Sequence, residues 1–115
     1  MSFDLAGFRS AAVSLDAERW LTYFAEDAVW TEYRHFDPPR RPHVMRGLTE
    51  IGPFLREVCA DDLTIAFDNG LADGQRAAYT LTVTLPGGRR IIENAILDHR
   101  DGKVTNLVEV EAWDP

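Results

Sequence analysis

Glu32, Glu93, Glu109 and His35 are the residues of this 115-residue chain whose types and settings suit acid–base chemistry. Glu32 closes the run Ala28-Val29-Trp30-Thr31-Glu32, a carboxylate among aromatic and branched side chains. Glu93 stands between Ile91-Ile92 and Ala95-Ile96, and Glu109 between Val108 and Val110. A carboxyl group in an apolar pocket is driven toward its neutral form, because desolvation disfavours the charge. A second carboxyl beside it raises one of the pair further, since both cannot comfortably ionise. One acid then serves as base and the other as proton donor near neutral pH. Such a pair suits proton shuttling at a carbon next to a carbonyl, activation of a water, or ring closure by aldol chemistry.

Bland readings stand beside these. Glu32 could sit at a strand end, paired with Arg34 or Arg46. Glu93 divides evenly between pocket and surface. Glu111 reads as a solvated edge residue. His35 borders a loop, where its unperturbed pKa would allow acid or base work, although a lone loop histidine is more often inert. His43 and His99 read as structural, and Asp98 and Asp101 as turn residues. The lone Cys59 excludes an internal disulfide or a multi-cysteine metal site, and reads as a helix residue facing the core. No metal-ligand spacing, phosphate-binding glycine loop or nucleophile elbow is present, so neither a metal nor an organic cofactor is expected.

A net charge of −7 argues against nucleic acid, whose backbone demands a basic face, and weakly against anionic membranes. No long apolar run or cleavable leader stands out, and a cytosolic location is expected. The length allows one domain, residues 1–115, and a hydrophobic share of 45% is enough for a small core.

The elements that must hold the acids follow from spacing. Leu5, Phe8, Ala12 and Leu15 recur with helical period and mark a first helix. Asp16 can cap a second, which carries Trp20, Leu21 and Phe24 on its buried side and ends at Glu26-Asp27. Ala28 to Tyr33 alternates as a strand. Arg34 to Pro42 holds three prolines in nine residues and must be a loop, either a flap over a pocket mouth or a plain surface excursion. His43 to Arg46 suits a short strand. Leu48, Ile51, Phe54, Leu55 and Val58 predict a third helix, with Pro53 in its first turns. Four strands follow, roughly 63–72, 75–85, 89–100 and 104–113, joined at Asp73-Gly74, Pro86-Gly87-Gly88 and Asp101-Gly102. This order predicts an α+β fold with helices on one face of a curved antiparallel sheet.

With a strand period of two, Ala77, Tyr79, Leu81, Val83 and Leu85 share one face, and Ile91, Glu93, Ala95 and Leu97 another. The last two strands have no fully polar face. A sheet apolar on both sides wants cover on both. Helices cover one, and a homodimer is expected through the other. Periodicity alone would turn Val104, Val108 and Val110 inward and Glu109 and Glu111 to solvent.

The stretch Phe24-Ala25-Glu26-Asp27-Ala28-Val29-Trp30-Thr31-Glu32, with the closing strand from Gly102-Lys103-Val104 to Trp113, resembles the SnoaL-like or nuclear-transport-factor-2-like superfamily. The resemblance spans nearly the whole chain. It implies a roll whose sheet wraps the helices into a cone-shaped pocket. In this register the residue seven positions after the turn glycine, Glu109, points inward. The cone would be lined by Trp20, Tyr23, Trp30, Phe54, Val58, Tyr79 and Leu107, with Glu32, Glu93 and Glu109 projecting into it. A small or polycyclic apolar molecule is the implied ligand. The superfamily holds isomerases, epoxide hydrolases, cyclases and dehydratases as well as binding proteins. Glu32 falls where ketosteroid isomerases hold their base. Their two oxyanion donors fall on Phe8 and Ala95, which donate no hydrogen bond, and losing such donors costs orders of magnitude in rate. Glu109 matches one acid of the epoxide hydrolases, whose Arg-x-Asp is replaced within Ala77-Ala78-Tyr79-Thr80-Leu81. Polyketide cyclases ask only for an acid or base near Glu109 and a shaped apolar cavity. Both a cofactor-free acid–base enzyme and a non-catalytic small-molecule-binding module fit.

Overall fold

A computed structural model describes residues 2–115. Its elements run α1 (Leu5–Val13), α2 (Ala17–Leu21), β1 (Phe24–Tyr33), β2 (His43–Arg46), α3 (Gly47–Ala60), β3 (Thr64–Ala72), β4 (Arg76–Thr84), β5 (Arg90–Arg100) and β6 (Lys103–Trp113). Among the described residues, no helix is long and apolar enough to cross a membrane.

Side chains fix the helix starts. Asp4 caps α1, accepting the Gly7 N–H at 2.9 Å, and Asp16 caps α2, accepting the Arg19 N–H at 3.2 Å. At α3 the capping residue is Arg46, whose own N–H donates to Glu50 Oε1 at 2.7 Å. Gly47, at φ 72°, makes the turn from β2 into α3, a backbone state that a side chain would strain. Pro53 is the seventh of the fourteen residues of α3, past its first turn, so the missing N–H removes one bond from the interior of the helix.

The second helix is shorter than its apolar spacing suggests. It ends at Leu21, and Phe24 already belongs to β1, where it pairs with Val104 of β6. Glu26 and Asp27 sit in an irregularity of β1 between Phe24 and Val29. A bulge admits exposed acidic residues inside a strand, and in sequence it is indistinguishable from a helix end.

The six strands form one sheet in the order β2-β1-β6-β5-β4-β3. Four neighbouring pairs are antiparallel, and the β1–β6 pair is parallel. The closing strand therefore lies between β1 and β5, at the middle of the sheet. The helices cover one face. Phe8 of α1 is fully buried in that core, its ring 5.5 Å from Tyr79, 5.8 Å from Tyr23 and 6.1 Å from Phe24.

The faces of β4 and β5 follow the period of two. In β6 a register shift opposite Asp98 and His99 changes phase along the strand. Val104 is thus buried although it shares parity with Val108 and Val110, while Val110 is 59% exposed. Beyond the shift, Leu107 and Glu109 face the helices.

Candidate active site

Register alone brings four glutamates together. Glu32 of β1 lies opposite Glu109 of β6, and Glu93 of β5 lies opposite Glu111 of β6. The middle strand thus supplies two acids and each neighbour one, all on the concave face. One carboxylate oxygen each from Glu32, Glu109 and Glu111 lie within 4.8 Å of one another.

Glu32 and Glu109 are buried and Glu93 and Glu111 half-buried. Each is held by a defined contact. The Glu32 Oε1 and His43 Nδ1 atoms are 2.9 Å apart across the β1–β2 hairpin. The Trp30 indole N–H donates to Glu109 Oε1 at 2.9 Å, and that of Trp113 to Glu111 Oε1 at 2.8 Å. Glu109 is 0% exposed, and its second oxygen has no donor of its own. Burial beside the Glu93 and Glu32 charges favours a proton on this carboxyl group.

The electrostatics follow. Burial pushes Glu93 up to about 7; a hydrogen bond with Glu109 offsets part of this and the Glu32 charge adds to it. Burial, with the charges of Glu93 and Glu32, pushes Glu111 up to about 8. The same three causes hold Glu109 well above the carboxylate range. At neutral pH the cluster carries both charge and protons.

A cavity of about 220 Å³ opens onto these acids between Phe54 and Val58 of α3, Val83 and Ile91 of the sheet, and Phe36 and Trp113 at the mouth, with Glu32, Glu93 and Glu111 in its wall. A narrower space of about 40 Å³ continues inward past Trp20, Trp30 and Leu81 and shares Glu32, Glu93, Phe54 and Val58 with the first. The two spaces share part of their walls.

Of the residues expected to line the pocket, Trp20, Trp30, Phe54 and Val58 do so, and Tyr23, Tyr79 and Leu107 are not among the lining residues of either space. The Tyr23 hydroxyl is drawn aside to donate to Asp4 Oδ2 at 3.2 Å, beside the N-terminus of α1. Tyr79 is buried flat against Phe67 at 4.5 Å, and Leu107 is buried in the core. Glu32 and Glu93 reach the cavity, whereas Glu109 lies behind them. His35 is exposed, its ring 5.1 Å from Trp113 on the outer side of the mouth. The loop that carries it folds back on itself: Arg34 bonds Asp37 at 2.5 Å and lies 4.5 Å over the Phe36 ring. Arg34 and Phe36 both line the cavity, which makes this segment part of the mouth.

Two members of the constellation do not have the places that sequence reading assigns them. Glu111 is no solvated edge residue. It shares the inward parity of Glu109, and that parity was the available signal. His43 is not merely structural, since it touches Glu32. Nothing in the sequence announces this, because the long 34–42 loop hides the hairpin register that sets His43 opposite Glu32.

Solved structures share this architecture. A protein from Kribbella flavida provisionally assigned as a ketosteroid isomerase superposes with a TM-score of 0.76 at 21% identity, over 96% of this chain and 78% of that one. An NTF2-like protein of unknown function from Mesorhizobium loti gives 0.81 at 12% identity, over 94% and 87%. The epoxide hydrolase/cyclase-like enzyme SalBIII, which has a role in pyran ring formation in the polyether salinomycin, gives 0.67 at 19% identity, over 94% and 87%. At these identities the likeness is one of fold. No curated protein matches the chain in sequence. The family pattern of the SnoaL-like domain matches residues 5–107, and with the mixed sheet and pocket in place, the chain belongs to the SnoaL-like domain family.

Proposed function

We propose that this protein is a cofactor-independent acid–base enzyme that isomerises, cyclises, dehydrates or hydrolyses a small substrate with an apolar body. The observation that carries the reading is the set of three glutamates in the wall of an apolar cavity, Glu32, Glu93 and Glu111, with Glu93 pushed up to about 7 and Glu111 to about 8. Glu32, held by His43, is the base. Glu93 is the partner acid, because it faces both spaces of the pocket and holds a proton near neutral pH. Glu109 returns protons from behind, and Trp30, fixed on Glu109, keeps that acid in place. His35 has no part in proton transfer in this scheme and belongs to the mouth.

Cavity size favours a small substrate over a polycyclic one. Ligand pockets for drug-sized molecules run to about 300–1,000 Å³, and a cavity of about 150 Å³ holds benzene. The space of about 220 Å³ suits a monocyclic or short-chain compound. Steroid isomerisation through the usual two donors is disfavoured, since Phe8 and Ala95 are both buried and neither donates.

The test is turnover by Glu32→Gln over a panel of small carbonyl and epoxide compounds. A loss of at least about a hundredfold in kcat with ligand affinity retained supports the base assignment. Unchanged turnover removes it. A wild-type protein that binds such compounds and converts none favours the second reading, a non-catalytic small-molecule-binding module.

The same reading includes a homodimer through the outer sheet face. Ile92, Ile96 and Val110 are exposed there, and Ile96 pairs with Val108 across β5 and β6.

A further inference from the structure

We propose that the cavity is a binding site for a small primary ammonium compound with an aromatic or aliphatic body, its nitrogen seated against Glu32 and Glu111 next to the free oxygen of Glu109. This goes beyond the acid–base reading and holds for a ligand that is turned over or merely held.

Three observations converge. The first is spacing. An ammonium nitrogen with three acceptors at about 2.8 Å in tetrahedral directions needs those acceptors about 4.6 Å apart. One oxygen each from Glu32, Glu109 and Glu111 lies no farther than 4.8 Å from the others, close enough to serve as such a set. The second is an oxygen of Glu109, fully buried and without a donor, on a side chain that belongs to that group. The third is the wall. Trp20, Trp30, Phe54 and Trp113 line the two spaces, and aromatic faces attract a cation through their quadrupoles.

The charged groups facing this point leave it short of cations. From β2 comes only His43, which meets Glu32. From the mouth loop comes Arg34, whose charge is taken by Asp37 and which lies over Phe36. From the end of α3 comes Asp61, another acid in the cavity wall. From the sheet come Glu93 and Glu111. A hard divalent ion such as calcium or manganese is a poorer match. It seeks six or more oxygen ligands, and beyond the acids the walls are aromatic and aliphatic.

Seating an ammonium ion favours the ionised carboxyl groups, so protons leave as it binds. Affinity should therefore rise with pH from 6 to 9 and fall only when the amine itself loses its proton, near about 10.

The experiment is calorimetric titration of the whole chain with benzylamine and with benzyl alcohol, its neutral counterpart, at pH 8. Phosphate and Tris buffers, which differ in ionisation enthalpy, reveal proton release. Benzylamine is expected to bind at least tenfold more tightly and to release up to about one proton per ligand. Glu111→Gln should weaken benzylamine about tenfold and leave benzyl alcohol unchanged, with a thermal melt confirming that the variant is folded. Should it not fold, Glu32→Gln takes its place. Equal affinity for the two compounds, no benzylamine binding, or no loss in the folded variant overturns the proposal. So does displacement of benzylamine by calcium or manganese at equal concentration, which would make the cluster a metal site. No outcome depends on turnover, so failure here leaves the enzymatic reading intact, and loss of that reading leaves this one standing.

Discussion

Each acid in the cluster is costly to charge, and that cost can be measured. Glu93 and Glu111 titrate at about 7 and about 8 in the fold, against about 4.3 for an unfolded glutamate. Below pH 4 both states are protonated and the shift contributes nothing. Between about 4.3 and about 8 the folded chain binds more protons than the unfolded one, so stability falls as pH rises, and the loss is complete above about 8. Glu111→Gln removes one such group. It should raise stability at pH 8 by about 1–3 kcal/mol and barely alter it at pH 4, as read by urea unfolding. A variant less stable than the parent at pH 8 would show that Glu111 is charged at no cost. If Glu93 is the acid, kcat should fall as pH rises through about 7, and Glu93→Gln should lose both that limb and most of the rate. Glu32 and Glu93 were legible from the sequence as acids in apolar strands. Glu109 needed the family register, because Val108 and Val110 argue for the opposite face. His43 was not legible, since its role exists only through a contact made across a loop.

The elements were read more securely than their ends. Helices α1 and α3 and the four closing strands fall where periodicity and turn residues place them, because spacing of apolar side chains is what packs them. Misplacements arose where the backbone departs from regular period. The irregularity at Glu26-Asp27 read as a helix end, and the phase change in β6 leaves Val104 inward, as periodicity has it, but turns Val110 outward. Parallel pairing of β1 with β6 leaves no local trace, since both strands look the same in either direction. The mouth loop offers a test at this scale. Trp113 of β6 meets Phe36 at 5.6 Å and His35 at 5.1 Å, and is the aromatic anchor of the 34–42 segment. Trp113→Ala should release it, seen as several-fold faster trypsin cleavage after Arg40 with the global melt little changed. Cleavage at the parental rate would show that the Arg34–Asp37 pair holds the loop unaided.

At the scale of the whole molecule, the sheet has one face under the helices and another that is partly apolar and open. Ile96 is 55% exposed and Val110 59%, diagonal neighbours on adjacent strands. Ile96→Lys should convert the proposed dimer to a monomer in sedimentation velocity without lowering helix content. Sedimentation of the parent as a monomer would remove the dimer outright. The position of β6 has a temporal meaning as well. Trp30 and Glu109, which share a hydrogen bond, are 79 positions apart, so during synthesis β1 waits for a partner while most of the chain is made. Until β6 inserts, β1 and β5 are both bare edges, open to wrong pairing. The pocket is thus completed only when β6, the last of the six strands of this sheet in chain order, has been made. Chains stalled within β6 should be the species that chaperones hold.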